Sequence, residues 1–471
     1  MRFLFLKIPE RNKKFELFSS PQNVLSAYPP LGLEYVAASL ENHGNNVEII
    51  DLDAENISRQ NLKNCLMKSD AVGIGVYINN YTIAADVANK IKEIDPDIPL
   101  IIGGPHCTFL KSNVFAHIPN ADISIESEGE NVILDLICYF KGEKNLSDIN
   151  GINYKENNQI KSGKPLQVIN DLDSLPFPAR HLTEKYDYGT FDWGLRPKKK
   201  FTTMISSRGC PYKCRFCARF GNIKGWSFRR RSTGNIIKEI QEISEKYKSI
   251  MIVDDNFLAD KKATHTIMDK LIELDLNLEL YILGARVDTA ESNLYKKMKK
   301  AGVKYVGFGI ESGNQDVLNY YNKKITIPQV RNAVSLAREM DFITQGFFIF
   351  GASMETKTHI YNTIKLAISL PFDIVVFQPL AYEIGSDIWQ EAVNDKKISR
   401  DDISVLTDSR RGLGNFTPAE LDSFIKKGYR DFYLNSRYIL RLLHRSIIYR
   451  NTNHLKTIFR LALSPQKNKL I

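Results

Sequence analysis

Three cysteines stand close together near the middle of the chain, at positions 210, 214 and 217, with the spacing C-x3-C-x2-C. They follow a strand-like run, Phe201-Thr202-Thr203-Met204-Ile205, which places them on a loop at a strand end. Three thiolates on one short loop can hold three irons of a [4Fe–4S] cube and leave the fourth iron open to a small molecule. The alternative is structural zinc, which prefers four protein ligands, but the next histidine is His265. The spacing therefore predicts an iron–sulfur cluster.

The composition indicates a globular protein of two or three domains. The chain has 471 residues, of which 43% are hydrophobic and 25% are charged. Six cysteines in this length do not make a disulfide framework, and an exposed cluster needs a reducing compartment, so we expect a cytoplasmic protein. No run of about 18 apolar residues predicts a membrane-spanning helix. The net charge of +10 is compatible with anionic substrates, nucleic acid or a membrane surface, and it selects none of them.

Residues 1–145 alternate short apolar runs with amphipathic ones, which predicts strands and helices in turn. Continuous apolar strands separated by helices indicate a parallel sheet covered on both faces, in a doubly wound, Rossmann-like α/β domain. Ligands of such sheets bind beyond the carboxyl ends of the strands. The candidate ligand-binding residues at three of these ends are Tyr77, Asn79, Gly103, Gly104, His106, Glu128, Gly129 and Glu130.

The turns Gly103-Gly104-Pro105-His106 and Glu128-Gly129-Glu130 resemble those of the cobalamin-binding domain attached to many radical S-adenosylmethionine (SAM) enzymes. A flavodoxin-like domain without a cofactor would have the same strands, so that alternative stays open. Cobalamin modules that ligate cobalt by histidine carry Asp-x-His-x-x-Gly, and this chain has no such string. We therefore expect His106 to be structural or close to the corrin rim, and the lower face of cobalt to meet no histidine.

Residues 146–200 form a proline-rich connector in this interpretation, and residues 201–400 resume the βα alternation with six units. Six such units, together with the cysteine loop and Phe216 directly before its third cysteine, resemble the partial (β/α)6 barrel of radical SAM enzymes. Barrels of this kind build their sites at the carboxyl ends of their strands. The resemblance assigns Cys210, Cys214 and Cys217 to the cluster.

The same resemblance implies which residues contact SAM. Asp254, Asp255 and Asn256 end the second strand of the barrel, where the family contacts the methionyl amino group. Arg286 ends the third strand and suits the SAM carboxylate, because a guanidinium matches a carboxylate with two parallel hydrogen bonds. The remaining candidates follow the fourth and fifth strands: Glu311 and Ser312 for the ribose hydroxyls, and Gly351 near adenine.

Two loops depart from the pattern of the family. Relatives often have Gly-x-Pro-Gly-Glu after the fifth strand, whereas this chain has Gly351-Ala352-Ser353-Met354-Glu355. They often have Pro-Gly-Thr after the sixth, whereas this chain has Ile384-Gly385-Ser386. Both departures lie toward the substrate side, so the resemblance does not identify a substrate.

Residues 401–471 are a basic helical region, with helices expected over 418–463. Tyr429, Phe432, Tyr433, Tyr438, Leu442 and Leu443 are spaced to form apolar faces, and Arg430, Arg437, Arg441, Arg445, Arg450 and Arg460 form positive ones. We expect a helical cap packed on the barrel. The alternative is a peripheral contact with a membrane surface that gives access to a lipid-like substrate. Nucleic acid is not expected, because no RNA-binding signature accompanies the basic residues.

The resemblance as a whole implies a cobalamin-dependent radical SAM enzyme of the class B methyltransferase type. Such an enzyme uses a 5′-deoxyadenosyl radical to activate an unactivated carbon, and methylcobalamin then supplies the methyl group. It acts on a small-molecule or lipid-like substrate and takes electrons from a donor such as flavodoxin or ferredoxin. The alternatives are a radical SAM enzyme that keeps cobalamin but cyclises or rearranges its substrate, and a non-catalytic cobalamin or iron–sulfur sensor or carrier.

Overall fold

The computed structural model describes residues 1–9, 28–189, 191, 197, 200–218 and 226–448, with side chains as far as Leu443. These residues form two compact units, one within Met1–Tyr188 and one that begins at Gly189. Each unit has its own parallel sheet, as the alternation of strands and helices predicts.

The sheet of the first unit contains seven described strands in the order β2-β1-β3-β4-β5-β6-β7. The first five run parallel, and β6 and β7 are antiparallel. The order 2-1-3-4-5 is that of doubly wound flavodoxin-like sheets, whose ligands lie at the carboxyl edge. The strands are β1 (Arg2–Lys7), β2 (Asn46–Asp51), β3 (Ala71–Gly75), β4 (Leu100–Gly103), β5 (Ile123–Ile125), β6 (Ile152–Glu156) and β7 (Gln159–Ser162).

Helices cover both faces of this sheet, so its strands are apolar along their whole length. Phe3, Leu4, Phe5 and Leu6 of β1 are all buried, which a half-exposed strand with alternating polarity would not allow. The helices are α1 (Leu31–Glu41), α2 (Arg59–Leu66), α3 (Tyr81–Ile94), α4 (Pro105–Leu110), α5 (Val114–His117) and α6 (Gly129–Phe140).

The region interpreted as a connector divides between the two units. Strand β6 pairs antiparallel with β5 and with β7, so the predicted hairpin extends the first sheet. The segment after it also packs on the first unit, since Tyr188 donates a hydrogen bond to the Asp51 carboxylate at 2.9 Å. Residues 146–188 therefore belong to the first unit rather than to a separate linker.

The second unit is built on a six-stranded parallel sheet with the order β15-β14-β13-β12-β11-β8. Strands that are consecutive in this series are neighbours, as expected for a partial βα barrel. Two short antiparallel ribbons, β9 with β10 and β16 with β17, flank it. The strands are β8 (Phe201–Met204), β9 (Ser207–Arg208), β10 (Arg229–Arg230), β11 (Ser249–Ile252), β12 (Glu279–Ala285), β13 (Val303–Glu311), β14 (Ile343–Phe350), β15 (Ile374–Pro379), β16 (Ala381–Glu383) and β17 (Ser404–Leu406).

Helices of the second unit return the chain between these strands, so all six carboxyl ends lie at one edge of the sheet. The cysteine loop and the predicted SAM-binding residues follow these ends. The helices are α7 (Thr233–Lys246), α8 (Lys261–Leu274), α9 (Ser292–Lys300), α10 (Gln315–Tyr320), α11 (Ile327–Glu339), α12 (Lys357–Ser369), α13 (Asp387–Asn394), α14 (Pro418–Tyr433) and α15 (Ser436–Ile448).

Helix α14 covers the exposed edge of the sheet with tyrosine hydroxyls. Tyr429 accepts a hydrogen bond from the amide of Phe377 at 3.2 Å, and Tyr433 accepts one from the amide of Val375 at 3.3 Å. Tyr438 of α15 donates to the carbonyl of Asp373 at 3.1 Å. Tyr429 and Tyr433 are four residues apart in the helix, which is a rise of about 6 Å, and the strand residues that they contact are two apart, which is about 6.6 Å. The spacing of the hydroxyls therefore matches the spacing of the peptide groups that point outward from the edge strand.

The aromatic face predicted for the C-terminal region therefore packs on the barrel. Tyr429, Phe432, Tyr433 and Tyr438 are buried, whereas Leu443 is 44% exposed. Leu442 is partly buried against the core. The side chain of Arg445 and all of Arg450 and Arg460 lie outside the described residues. No helix in the described part of the chain is long and apolar enough to cross a membrane.

The tyrosine contacts predict a measurable stability cost. Tyr433→Phe removes the hydroxyl that satisfies the edge strand at Val375, so we expect the free energy of unfolding to fall by about 1–3 kcal/mol. Urea denaturation measures this loss. Tyr361→Phe is the matched control, because Tyr361 of α12 is 37% exposed and packs its ring on Phe424 of α14, the helix that also contains Tyr433. Equal stability of the two variants would contradict the proposed edge cover.

Candidate functional site

The cysteine loop begins at a glycine that the backbone requires. Strand β9 pairs antiparallel with β10, and Gly209 follows it with φ of 80°. A Cβ atom at Gly209 would lie 3.0 Å from the carbonyl oxygen of Ser227. A side chain at this position would therefore be strained, and the glycine lets the chain turn sharply into Cys210.

The three cysteines differ in burial along the loop. Cys214 is buried, Cys210 is half-buried and Cys217 is exposed. The amide of Cys217 donates to the carbonyl of Cys214 at 3.2 Å, which closes a tight turn between them. Burial, followed by the charges of Asp255 and Cys214, raises the pKa of the Cys210 thiol. Burial and neighbouring negative charge thus disfavour the Cys210 thiolate, and a bound cation would stabilise it.

The loop is anchored by a segment that the sequence reasoning did not identify, Tyr320-Tyr321-Asn322. The guanidinium of Arg215 lies 4.6 Å from the ring centre of Tyr320 and donates to the Tyr320 carbonyl at 3.1 Å. Phe216 meets the ring of Tyr321 edge-on, with centroids 5.0 Å apart. The side-chain amide of Asn322 donates to the carbonyl of Lys213 at 2.7 Å.

Asp254 is engaged inside the protein. Its Oδ1 accepts a hydrogen bond from the amide of Ser206 at 2.6 Å, and its Oδ2 accepts from the hydroxyls of Ser206 and Ser207, each at 2.5 Å. These bonds tie the loop after β11 to the end of β8, directly before the cysteine loop. These bonds give Asp254 a structural role, and its contact with SAM stays a prediction.

The two residues after Asp254 have a different environment. Asp255 is exposed and lies close enough to Cys210 to act on its thiol. Asn256 is buried, and neither its Oδ1 nor its Nδ2 has a hydrogen-bond partner among the described residues. A buried amide with no partner is costly, and it is a group that a ligand could satisfy.

Arg286 is paired within the protein, and its contact with the SAM carboxylate stays a prediction. Its Nε and Nη2 donate to the two oxygens of Asp288, each at 3.0 Å, and Nη2 also donates to the carbonyl of Lys323 at 2.7 Å. Its guanidinium stacks on the ring of Tyr212 with 3.6 Å to the centroid. Because Tyr212 belongs to the cysteine loop, we assign Arg286 to positioning that loop.

Glu311 forms a buried ion pair with Lys323. The Nζ of Lys323 donates to Glu311 Oε1 at 2.6 Å, and both side chains are less than one-tenth exposed. Glu311 has φ of 73°, which is strained for a residue with a side chain. Ser312, the next residue, is buried and accepts a hydrogen bond from the amide of Asn314 at 3.2 Å. The second oxygen of Glu311 is the group that would meet ribose hydroxyls.

Glu355 shapes the loop after β14. The amides of Gly351 and Ala352 donate to its Oε2 at 2.6 and 2.9 Å, and Oε1 has no hydrogen-bond partner in the described part of the chain. Gly351 has φ of 110°, and a Cβ atom there would lie 3.0 Å from Thr407. Glu355 therefore holds the turn in place even though the proline and glycine of the family pattern are missing. Burial raises the pKa of the Glu355 carboxyl to about 7.

The raised pKa of Glu355 predicts how stability depends on pH. The folded protein binds this proton more tightly than the unfolded chain, whose carboxyl has a pKa near 4.5, so stability falls as pH rises between these values. The loss amounts to about 3 kcal/mol above pH 7. Glu355→Gln should reduce the difference in the free energy of unfolding between pH 5 and pH 8, which urea denaturation at the two pH values measures. The exposed Glu339→Gln serves as control, and a wild-type slope in the Glu355 variant would contradict the assignment.

The carboxyl edge of the first sheet contains the second group of predicted residues. Tyr77 is 45% exposed beyond β3, Asn79 is also exposed, and Gly103 ends β4 with ordinary space around it. Gly104 has φ of 109°, and a Cβ atom there would lie 2.8 Å from the carbonyl oxygen of Val76. The backbone therefore requires Gly104 whatever the ligand, whereas Tyr77 and Asn79 are exposed at this edge and Gly103 is partly exposed.

His106 is fully buried in an aromatic cluster. Its Nε2 lies 3.1 Å from Nδ1 of His117, and its ring stacks on Tyr81 with centroids 4.9 Å apart. Burial, with His117 next to it, lowers the pKa of His106 to about 3, so the ring is neutral. This environment fits the structural role expected for His106.

The residues of the Glu128-Gly129-Glu130 turn also have internal partners. Glu128 Oε2 accepts a hydrogen bond from the amide of Ile169 at 2.7 Å. A Cβ atom at Gly129 would lie 3.2 Å from Val36, so the glycine allows α6 to pack on α1. Glu130 is buried in the first turn of α6, where a carboxylate is favoured by the helix dipole. This turn therefore shapes the edge of the sheet.

Comparisons with known proteins match both units. Residues 204–367 match the model of the Radical SAM superfamily, and residues 22–137 match that of the B12 binding domain. An uncharacterized methyltransferase of Pyrococcus horikoshii is 30% identical over 422 residues, which cover 88% of this chain and 89% of the relative. An anaerobic magnesium-protoporphyrin IX monomethyl ester cyclase of Rubrivivax gelatinosus is 24% identical, covering 89% of this chain and 76% of the relative.

The solved structures include a similar fold. The cobalamin-dependent S-adenosylmethionine radical enzyme OxsB, with aqua-cobalamin and S-adenosylmethionine bound, superposes with a TM-score of 0.72 and 18% identity. The match covers 99% of this chain and 73% of OxsB. At this identity the likeness is evidence for the fold.

Proposed function

Because this chain belongs to the cobalamin-dependent radical SAM family, in which a B12 binding domain and a radical SAM domain occur in one chain, we propose that it is a methyltransferase that acts on an unactivated carbon of a small-molecule substrate. The observation that carries this proposal is the combination in one chain of a cysteine loop anchored at a barrel edge and a cobalamin-type domain. The relative from Pyrococcus horikoshii, which is 30% identical to this chain, is also named a methyltransferase.

We propose three protein-bound groups. Cys210, Cys214 and Cys217 would hold the [4Fe–4S] cluster. The strand ends of the second sheet, from Asp255 to Gly351, would bind SAM. The strand ends of the first sheet, with Tyr77, Asn79 and Gly103, would bind cobalamin. When bound, these groups supply one-electron and methyl-transfer chemistry, and the protein supplies position and shelter from water. The chain does this through the Tyr320-Tyr321-Asn322 anchor of the loop, the Asp254 bonds to β8 and the Glu355 bonds to the loop after β14. A flavodoxin or ferredoxin would donate the electrons.

The decisive experiment is anaerobic turnover of reconstituted protein with SAM that carries a deuterated methyl group. We expect a substrate product that contains the deuterated methyl, together with 5′-deoxyadenosine and S-adenosylhomocysteine. A cyclised or rearranged product without the label would favour the second function, which is supported by the cyclase from Rubrivivax gelatinosus among the relatives. Absence of any SAM cleavage would favour the sensor or carrier.

The cluster assignment predicts metal content. Reconstituted protein should contain about four irons and four sulfides per chain, and Cys214→Ala should lose the cluster absorbance and SAM cleavage. Cys138→Ala is the matched control, because Cys138 is a partly buried cysteine of α6 in the first unit. Zinc at about one per chain with no uptake of iron would contradict the assignment.

The buried position of His106 predicts the spectrum of bound cobalamin. Because its ring faces His117 and Tyr81, it should give no axial nitrogen to cobalt, and the Co(II) form should show no superhyperfine splitting from a protein imidazole in electron paramagnetic resonance. His106→Gln should leave that spectrum unchanged, whereas Tyr77→Ala should weaken cobalamin retention by removing an exposed ring. Imidazole splitting that disappears in His106→Gln would show that His106 is a ligand.

A further inference from the structure

Exposed apolar side chains are concentrated at one place on the described surface. Among the described residues eight large apolar side chains are exposed, and four of them lie within residues 434–443. Leu434 directly follows helix α14, and α15 contributes Ile439, Leu440 and Leu443, which are 40%, 67% and 44% exposed. A single exposed leucine is ordinary on a protein surface, whereas a cluster of apolar groups marks an interaction site.

Helix α15 has an inner and an outer face. On the inner face Tyr438 is buried and donates its hydroxyl to a backbone carbonyl of the barrel, and Leu442, four residues later, packs against the core. On the other side Leu443 lies four residues after Ile439 and three after Leu440, so these three side chains are neighbours on the helix surface. We call these three residues, with Arg437, the outer face of α15. The inner face fixes the helix on the barrel and leaves the outer face exposed.

The charge around the outer face is positive. Arg437 is exposed, and no described residue forms an ion pair with it. Arg441 is half-buried and donates to the carbonyl of Phe372 at 3.3 Å. The last acidic residue of the sequence, Asp431, pairs with Lys427 of its own helix at 2.7 Å. After Asp431 the sequence contains eight lysines and arginines and no aspartate or glutamate, so no later carboxylate side chain compensates this charge.

Apolar side chains next to uncompensated arginines are complementary to an anionic lipid surface. A helix of this kind lies in the plane of the interface, with its apolar side chains among the acyl chains and its basic side chains at the headgroups. Arg437 and Leu440 are three residues apart, so the guanidinium lies beside the apolar cluster. The negative potential of an anionic surface attracts each such basic residue.

Two other partners fit the outer face less well. Proteins that bind single-stranded nucleic acid stack bases on exposed aromatic rings, but Phe432, Tyr433 and Tyr438 are buried against the barrel. A second copy of the chain would place one outer face against another and bring Arg437 close to its own equivalent, with no acidic group to separate them. An anionic lipid surface uses both the leucines and the arginine.

We propose that the outer face of α15 binds the surface of an anionic lipid bilayer, with Ile439, Leu440 and Leu443 inserted between the lipids and Arg437 at their headgroups. The proposal goes beyond the proposed function and does not depend on it, because none of these residues is assigned to a cofactor. Vesicle binding and cofactor content are therefore separate measurements on the same protein.

Co-sedimentation of the full chain with vesicles tests the proposal. Vesicles of equal parts phosphatidylcholine and phosphatidylglycerol should bind the parent protein, and vesicles of phosphatidylcholine alone should bind it about tenfold or more weakly. The double variant Leu440→Gln, Leu443→Gln should bind the anionic vesicles about tenfold more weakly, because two partly inserted leucines are lost. Arg437→Gln should weaken binding about fivefold, and the effect should shrink at high salt.

Matched controls come from the first unit, where Met67 is 74% exposed directly after α2 and Arg59 is exposed at the start of that helix. Met67→Gln and Arg59→Gln should bind anionic vesicles as the parent does. All substituted side chains are exposed, so the urea midpoint should stay that of the parent, and Leu440→Gln alone provides a second variant at the most exposed position of α15.

The proposal is overturned if the parent protein does not bind the anionic vesicles, or if the leucine variants bind them as the parent does. Single-stranded RNA that displaces the vesicles equally from the parent and from the leucine variants would assign the basic residues to nucleic acid instead. A dimer in sedimentation velocity that the leucine substitutions dissociate would assign the outer face to a second copy. Either of these two results also overturns the proposal.

Discussion

The cysteine loop has no regular secondary structure around its three thiols, so its shape must be imposed by neighbouring elements. Gly209 sets the turn into the loop, and Arg215 and Phe216 fasten its second half to Tyr320 and Tyr321. Because a cluster needs thiols at fixed separations, every one of these contacts reduces the conformational entropy lost when iron binds. The strand ends that surround the loop depend on the same anchors, since Asp254 ties β11 to the residues directly before Gly209.

Two cationic side chains lie close to the cysteine loop. Lys323 and Arg286 both act on Cys214, and each is held by a carboxylate, Glu311 for the lysine and Asp288 for the arginine. Paired in this way, the cations can remain buried beside thiols without leaving an isolated charge when no anion is present. Arg230 differs from both because none of its guanidinium nitrogens has a hydrogen-bond partner among the described residues, although Asp254 and Asp260 lie close enough to act on its charge.

The sequence predicted the fold well, because the fold follows from patterns that depend on position along the chain, and the same patterns give the candidate site its place at the strand ends. Apolar runs such as Phe3–Leu6 alternate with amphipathic helices, and the cysteine spacing marks one strand end. The choice between adjacent residues could not be predicted in this way. Asp254 and Asp255 are adjacent residues of the same type, yet the side chain of Asp254 bonds to Ser206 and Ser207 inside the protein and Asp255 is exposed near Cys210. That choice is made by packing across strands that are about 50 residues apart in sequence.

Arg286 and Gly104 are two further residues whose surroundings could not be predicted from the sequence. Both occupy strand ends where a ligand contact was expected, and both have a complete explanation inside the protein, through Asp288 for the arginine and through the close approach of Val76 for the glycine. A residue type that can contact a ligand can make the same contact within the protein. A guanidinium can pair with a carboxylate of the protein as well as with one of a ligand, and a glycine leaves room for a neighbouring backbone as well as for a ligand. What distinguishes a binding residue is an unsatisfied group, and satisfaction is a property of three-dimensional neighbours. The buried groups that have no hydrogen-bond partner among the described residues include the hydroxyls of Tyr295 and Tyr321 as well as the amide of Asn256, the guanidinium of Arg230 and Oε1 of Glu355. The last three follow or flank the ends of barrel strands where the cysteine loop also begins.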